Sequence, residues 1–240
     1  MTKKSDKYKY IVEYFAETQP DVESELNYGN AYELLVATML AAQCTDKRVN
    51  MVTPALFAAY PTVSDLAKAT EEEVLAYVKS VSYPNSKTKH LVQMAQMAVS
   101  EFGGEIPCTM EGLTKLPGVG RKTANVVLAF AFGQAAMPVD THVFRVSHRL
   151  GLVPESAKNP EAVEKELVKH FPKEYISRAH HWLLLHGRYT CTARKPHCDQ
   201  CALSEICEGV GSQPLGTNDP YIKKTSSLSS LEEATRTKCN

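Results

Sequence analysis

Four cysteines, Cys191, Cys198, Cys201 and Cys207, fall within seventeen residues in the spacing C-x6-C-x2-C-x5-C. Thiolates that close can hold a metal centre and tie down a short irregular loop. Structural zinc sites usually offer two close pairs. Here one close pair, Cys198 and Cys201, has a lone cysteine on each side. A compact four-thiolate loop suits a [4Fe–4S] cluster better, with zinc as the alternative. Four of the chain's seven cysteines in one short stretch argue against unrelated buried thiols. Cys44 and Cys108 read as small packing residues, and Cys239 as a thiol near the C-terminal end.

A second stretch runs Leu113-Thr114-Lys115-Leu116-Pro117-Gly118-Val119-Gly120-Arg121-Lys122-Thr123-Ala124. It reads as a short helix, a tight turn and a second helix that begins at once. Gly118 and Gly120, behind Pro117, let the backbone turn sharply and approach a ligand closely. The new helix aims unpaired N–H groups outward, which makes a site for an anion such as a DNA phosphate. Such a contact carries no base-sequence information. Lys122 lies in the first turn behind the hairpin. The positive end of a helix dipole is a poor place for an ammonium, and Arg121 adds like charge. Both favour the free amine, the form that attacks carbon. A phosphate contact or a solvated helix lysine is the plainer alternative.

The third stretch is Met137-Pro138-Val139-Asp140-Thr141-His142-Val143-Phe144-Arg145. Asp140 precedes an amphipathic helix, so it can cap that helix. A capping carboxylate is fixed in place, and capping is compatible with a role in catalysis.

These residues must be positioned by helices. Asn30-x-x-Glu33 and Thr70-x-x-Glu73 have the pattern of helix starts. Helices are expected over residues 31–43, 47–60, 71–80, 87–102, 121–132, 141–150, 160–170 and 174–186. Gly103-Gly104, Gly133, Gly151 and Gly187 serve as stops, and Pro160 sits in a first turn. Strand-like alternation is nearly absent, so the fold class is all-α. His180, His181, Trp182 and His186 share one helix and read as packing residues. From Gly211 the chain is rich in Gly, Ser, Thr, Pro and Asn, and residues 211–240 read as a flexible tail.

Of 240 residues, 43% are apolar, ordinary for a packed protein. No run of eighteen apolar residues could span a membrane. The basic start lacks an apolar signal core, so a cytoplasmic, reducing location is expected. Net charge is zero from 27 basic and 27 acidic residues. Bulk charge therefore argues neither for nor against nucleic acid, and local features must carry that reading.

Hairpin, lysine, Val-Asp-Thr-His and cysteine loop, in this order, resemble the endonuclease III family of bifunctional DNA glycosylase/AP lyases of the helix-hairpin-helix superfamily. The resemblance covers roughly residues 8–210. It implies a six-helix barrel over residues 24–134 that holds the hairpin. It implies an iron–sulfur domain built from residues 1–23 and 135–210, with a DNA cleft between the two. Lys122 is then the nucleophile at the sugar C1′ of a flipped, oxidised pyrimidine nucleotide, and Asp140 assists, facing it across the cleft. The base is displaced and the strand is nicked by β-elimination through a Schiff base. Cys191, Cys198, Cys201 and Cys207 hold a [4Fe–4S] cluster.

DNA-contacting residues follow from the same resemblance. Gln43, in Ala42-Gln43-Cys44-Thr45-Asp46, matches the glutamine that enters the gap left by the flipped base. In Val81-Ser82-Tyr83-Pro84-Asn85-Ser86-Lys87, the bacterial pattern has Gly-Leu-Tyr where this chain has Ser82-Tyr83-Pro84. Tyr83 can act as a wedge, and Asn85 and Lys87 as backbone contacts. Pro117, Gly118, Gly120, Arg121, Arg145, Arg188 and Arg194 complete the expected surface. The implied partner is duplex DNA with oxidised pyrimidines or abasic sites, bound by a monomer, with no membrane partner, in a bacterial nucleoid setting. A relative with mismatch or adenine specificity, and a non-catalytic DNA-binding module, are the competing readings. Lys122 speaks against the first, and Lys122 together with Asp140 against the second.

Overall fold

The computed structural model describes residues 3–22 and 24–209. It is all-α, with no strand among the described residues. In chain order the helices are α1 (Lys4–Thr18), α2 (Ala31–Ala41), α3 (Asp46–Ala59), α4 (Val63–Leu66), α5 (Glu71–Val78) and α6 (Pro84–Phe102). They continue with α7 (Met110–Lys115), α8 (Arg121–Phe130), α9 (Thr141–Arg149), α10 (Pro160–His170) and α11 (Ile176–Tyr189). Short 3-10 turns follow at Cys198–Gln200 and Ser204–Ile206. The chain divides into two compact units, Glu23–Pro138 and Met1–Val22 with Val139–Asn240. The tail expected over residues 211–240 and Cys239 lie outside the described residues.

In the unit Glu23–Pro138, α2 forms the centre. Leu34, Leu35, Val36, Ala37 and Leu40 are fully buried, so the helix is apolar on nearly every side, as a core helix must be. Helices α3, α6 and α8 pack against it, and α4 and α5 pack on α6. The starts obey side-chain chemistry. Thr70 accepts from Glu73 N while the Glu73 carboxylate reaches back to Thr70 N at 2.8 Å. Asn30 accepts from Glu33 N at 3.0 Å, but Glu33 reaches one residue further back, to Gly29 N at 2.6 Å.

In the other unit, α1 buries Tyr8, Ile11 and Phe15, residues three and four apart on one face. Phe15 stacks on Trp182 of α11, and Trp182 Nε1 donates to the Gln19 carbonyl at 3.0 Å. Lys7, on the same face, is 2% exposed and donates to the Leu150 carbonyl (2.8 Å) and to Glu208 Oε1 (2.7 Å).

Several expected boundaries move, by two or three residues at most. Helix α6 starts at Pro84, three residues early, because proline at the first helical position needs no N–H partner. Helix α2 stops at Ala41, because Ala42 turns to ψ 112°. Helix α11 runs through Gly187 to Tyr189. Gly187 is there because α9 crosses closely: a Cβ would lie 2.9 Å from His142 Cβ and 3.0 Å from Val146 Cγ2. Cys44 is half-buried, but Cys108 is exposed and is not a packing residue.

Candidate functional site

The hairpin is built by two helices and one left-handed glycine. Thr109 caps α7 by accepting from Gly112 N at 3.1 Å. Leu116 and Val119 are buried, and Val119 N donates to the Leu116 carbonyl at 3.1 Å, which closes the turn. Gly118 has φ +78°, and a Cβ there would meet His90 Cβ at 2.8 Å, so both conformation and packing demand glycine. Gly120 differs. Its φ is −89° and nothing lies within 4 Å of an added Cβ. Nothing within the fold asks for glycine at Gly120, so the backbone there is open to a ligand. Gly120 is also the N-cap of α8, with no side chain to cap it, so the first N–H groups of α8 face outward as an anion site. Lys122 is exposed in this first turn, beside exposed Arg121.

Asp140 is half-buried and caps α9, with Oδ1 accepting from Val143 N at 2.8 Å. The helix thus holds the carboxylate at its own start. His142, in the first turn of α9, is kept below the usual histidine range by burial, with Arg145 and Arg188 acting in the same direction and Asp140 opposing.

The two loops singled out as probes share an unusual backbone. Gln43 and Tyr83 have positive φ, +56° and +54°, although neither is glycine. Tyr83 stands fully in the left-handed region, with ψ 50°, directly before Pro84, and is 60% exposed. Such placement costs about 1–2 kcal/mol per residue. Observed strain of this kind is a pointer to function. Gln43 and Asn85 are exposed.

Two residues expected at the DNA surface have their side-chain donors engaged within the protein. Lys87 is 8% exposed, and its Nζ donates to the Leu40 carbonyl at 2.7 Å. Arg145 turns its guanidinium to the carbonyls of Gly187 (2.7 Å) and Cys191 (3.1 Å), bracing α9 against the end of α11. Both spend their donors on carbonyls at helix ends, where intrahelical partners run out. Arg188 is half-buried in the last turn of α11, and Arg194 is exposed.

Cys191, Cys198, Cys201 and Cys207 line one pocket, together with Leu150, His186, Thr190, Pro196, His197 and Ser204. Burial pushes the Cys201 and Cys207 thiols up, and the neighbouring sulfurs add repulsion. Iron bound there would supply the positive charge that offsets both costs. Among the described residues no three His, Cys, Asp or Glu side chains converge as one metal ion requires. The four cysteines that line the pocket are an all-thiolate donor set, which fits an iron–sulfur cluster.

Sequence reasoning missed Arg149. It is 9% exposed, and it donates to Cys191 Sγ (3.3 Å) and to the carbonyls of Thr192 (2.7 Å) and Ala193 (2.8 Å). The available signal was its place four residues after Arg145, on the same face of a helix. His186 lies 3.7 Å from Cys201 Sγ, in keeping with its reading as a packing residue; burial pulls its pKa down to about 4.

Comparison with known proteins matches this arrangement. The family model of the HhH-GPD superfamily base excision DNA repair protein covers residues 36–173. The iron-sulfur binding domain of endonuclease III covers residues 191–207. Endonuclease III of Rickettsia felis is 46% identical over 214 residues, 89% of this chain and 96% of its own length. Endonuclease III of Escherichia coli strain K12 is 43% identical over 192 residues, 80% of this chain and 90% of its own length. A solved structure of a trapped endonuclease III–DNA covalent intermediate, an estranged-adenine complex, superposes with TM-score 0.80 at 41% identity, covering 87% of this chain and 97% of that one. A non-covalent endonuclease III–DNA complex superposes with the same TM-score and coverage. No helix among the described residues is long and apolar enough to cross a membrane.

Proposed function

Because the chain belongs to the endonuclease III family of HhH-GPD base-excision DNA repair proteins, we propose that it removes oxidised pyrimidines from duplex DNA and nicks the abasic site through a Schiff base on Lys122. It is a DNA glycosylase/AP lyase that acts on damaged DNA and carries a [4Fe–4S] cluster. The observation that carries the finer reading is the exposed Lys122 in the first turn of α8, one turn behind a hairpin whose Gly120 leaves the backbone open to a close ligand.

The hairpin binds a phosphate through the outward N–H groups of α8 and holds the strand. The damaged nucleotide leaves the stack. The Lys122 amine forms a bond to C1′ as the glycosidic C–N bond breaks, and the base departs with a proton. The Asp140 carboxylate, fixed by Val143 N–H, stabilises the positive charge that develops on the sugar. The C1′–O4′ bond of the sugar ring then breaks, O4′ takes the proton that the nitrogen loses, and the nitrogen at C1′ becomes an imine; loss of the C2′ proton expels the 3′ phosphate, and water releases the lysine. Gln43 fills the vacated position and Tyr83 wedges beside the partner base, with Asn85, Arg121, Arg188 and Arg194 as further contacts. Cys191, Cys198, Cys201 and Cys207 hold the cluster, which cross-links the loop that carries Arg194. The protein works as a monomer on nucleoid DNA.

Borohydride trapping on a duplex with one thymine glycol tests this reading. The native protein is expected to give a covalent protein–DNA adduct, and Lys122→Ala none. Lesion binding without any adduct in the native protein would overturn the lyase assignment to Lys122.

A further inference from the structure

Gln43 and Tyr83 both hold the left-handed backbone, and residues so placed persist only where their surroundings over-determine them. Gln43 lies two residues beyond α2, and Tyr83 directly before α6. One residue joins these two helix ends, with its backbone at Tyr83 and its side chain at Leu40. Lys87, in the first turn of α6, sends its backbone N–H to the Tyr83 carbonyl at 3.2 Å. Its Nζ reaches the Leu40 carbonyl, in the last turn of α2, at 2.7 Å. That carbonyl is one of the last four of α2, which have no intrahelical donor. A cation at a helix C-terminus also meets the negative end of the dipole. The lysine thus fixes the point where α2 stops and the chain turns through Ala42 into Gln43. A lysine is almost never this buried unless paired, and burial pulls its pKa down. Its head is withdrawn from any approaching phosphate.

We infer that Lys87 is a positioning residue that locks the Gln43 and Tyr83 loops into one rigid probe of the duplex. It joins them through Leu40 and Tyr83, not through DNA. The inference rests on the roles assigned to Gln43 and Tyr83 above. A glutamine entering a gap and an aromatic wedge beside it must arrive at a fixed separation. If either loop relaxed out of the left-handed region alone, that separation would be lost. The Lys87 Nζ bond to the Leu40 carbonyl ties the end of α2 to the first turn of α6.

The test uses the full-length, cluster-loaded protein with Lys87→Met and, should that variant fold poorly, Lys87→Arg, which keeps the cation but changes its reach. Amide hydrogen exchange is measured on free protein, and affinity on a duplex carrying a stable abasic-site analogue. The expected result is faster exchange over both 41–46 and 81–86 with the hairpin 116–121 unchanged. Affinity is expected to fall about tenfold, and to fall no further when Lys87→Met is added to Gln43→Ala/Tyr83→Ala. The slope of log affinity against log salt is expected to stay the same. A slope reduced by about 0.9 would make Lys87 a phosphate contact and overturn the inference. Loosening of one loop alone, or losses that multiply in the triple variant, would overturn it too. If Gln43→Ala/Tyr83→Ala leaves binding intact while Lys87→Met loosens both loops, the roles of those two side chains fail and the coupling through Lys87 is supported.

Discussion

The Arg149 guanidinium stands 3.3 Å from Cys191 Sγ. At the same residue, the main-chain carbonyl accepts from Gly209 N at 2.8 Å, two residues beyond Cys207. One residue at the end of α9 therefore holds both ends of the thiolate loop: the side chain takes the first cysteine, and the backbone takes the chain just beyond the last. Lys7 completes the arrangement from α1, bridging the Leu150 carbonyl and Glu208. The loop has little regular structure of its own, only two 3-10 turns. Its shape is imposed by α9 and α1.

Replacing Arg149 by Met is therefore expected to weaken retention of the cluster. Three acceptors lose a charged donor, each such bond being worth about 1.5–3 kcal/mol. Visible absorbance in the presence of a chelator should decay several-fold faster than in the native protein. Arg149→Lys keeps the charge but not the two-pronged geometry, and should fall between the two. A decay rate indistinguishable from native in Arg149→Met would sink the assignment.

The hairpin glycines separate structure from ligand contact. Gly118→Ala forces a side chain into φ +78° and against His90 Cβ at 2.8 Å. A loss of about 1–3 kcal/mol of stability is expected, read by chemical denaturation. Gly120→Ala meets nothing within 4 Å, so stability should change by less than about 1 kcal/mol. Affinity for duplex DNA should nevertheless drop, by gel shift or anisotropy, because the added methyl stands where the phosphate approaches. Equal affinity in Gly120→Ala and native protein would contradict close backbone approach at that residue.

His142 gives the fold a pH dependence with a definite sign. Burial, Arg145 and Arg188 lower its pKa from 6.5 in the folded chain, while Asp140 and the Gly187 carbonyl act against them. Its Nδ1 lies 3.3 Å from Arg145 Nη2, a contact that needs an unprotonated acceptor. Below about pH 6.5 the unfolded chain binds a proton that the folded chain refuses, so stability is lost as pH falls. His142→Gln keeps a polar side chain and removes this proton. The difference in thermal midpoint between native and His142→Gln should therefore shift in favour of the variant between pH 7 and pH 5. A difference that is flat over that range would show the histidine to be titrating alike in both states.

What could be read without coordinates was local. The cysteine spacing, the Leu-Pro-Gly-Val-Gly turn and the cap at Asp140 each sit within a few consecutive residues, and their chemistry is in the residue types. Helix starts at Asn30, Thr70 and Pro160 were legible for the same reason. What failed was the fate of long cationic side chains. Lys7, Lys87, Arg145 and Arg149 look in sequence like solvated or DNA-facing charges, since lysine and arginine are mostly exposed. Lys7, Lys87 and Arg145 each reach a carbonyl at a helix end, Arg149 reaches carbonyls of the cysteine loop, and these acceptors lie far away along the chain: 143 residues for Lys7, 47 for Lys87, 42 for Arg145 to Gly187 and 43 for Arg149 to Thr192. No local pattern announces such a pairing. Gly187 misled for a related reason, because the crossing with α9 that requires it is tertiary. The left-handed Gln43 and Tyr83 were equally hidden, since neither residue type favours that conformation.

Asp140 permits the sharpest separation of fold from chemistry. Its Oδ1 accepts from Val143 N at 2.8 Å, a contact that an asparagine carbonyl oxygen can make as well, since Asn and Asp cap helices about equally. Asp140→Asn removes the negative charge and keeps the cap; Asp140→Ala removes both. Denaturation should therefore place Asp140→Asn close to native and Asp140→Ala lower by about 0.5–2 kcal/mol. Single-turnover base excision should fall in both variants alike, by roughly 100- to 1,000-fold if the charge stabilises the developing positive sugar. The two measurements together decide the role of the residue. If Asp140→Asn retained native excision, the carboxylate would be a helix cap and nothing more, and the stabilising charge in the reaction would have to come from another residue.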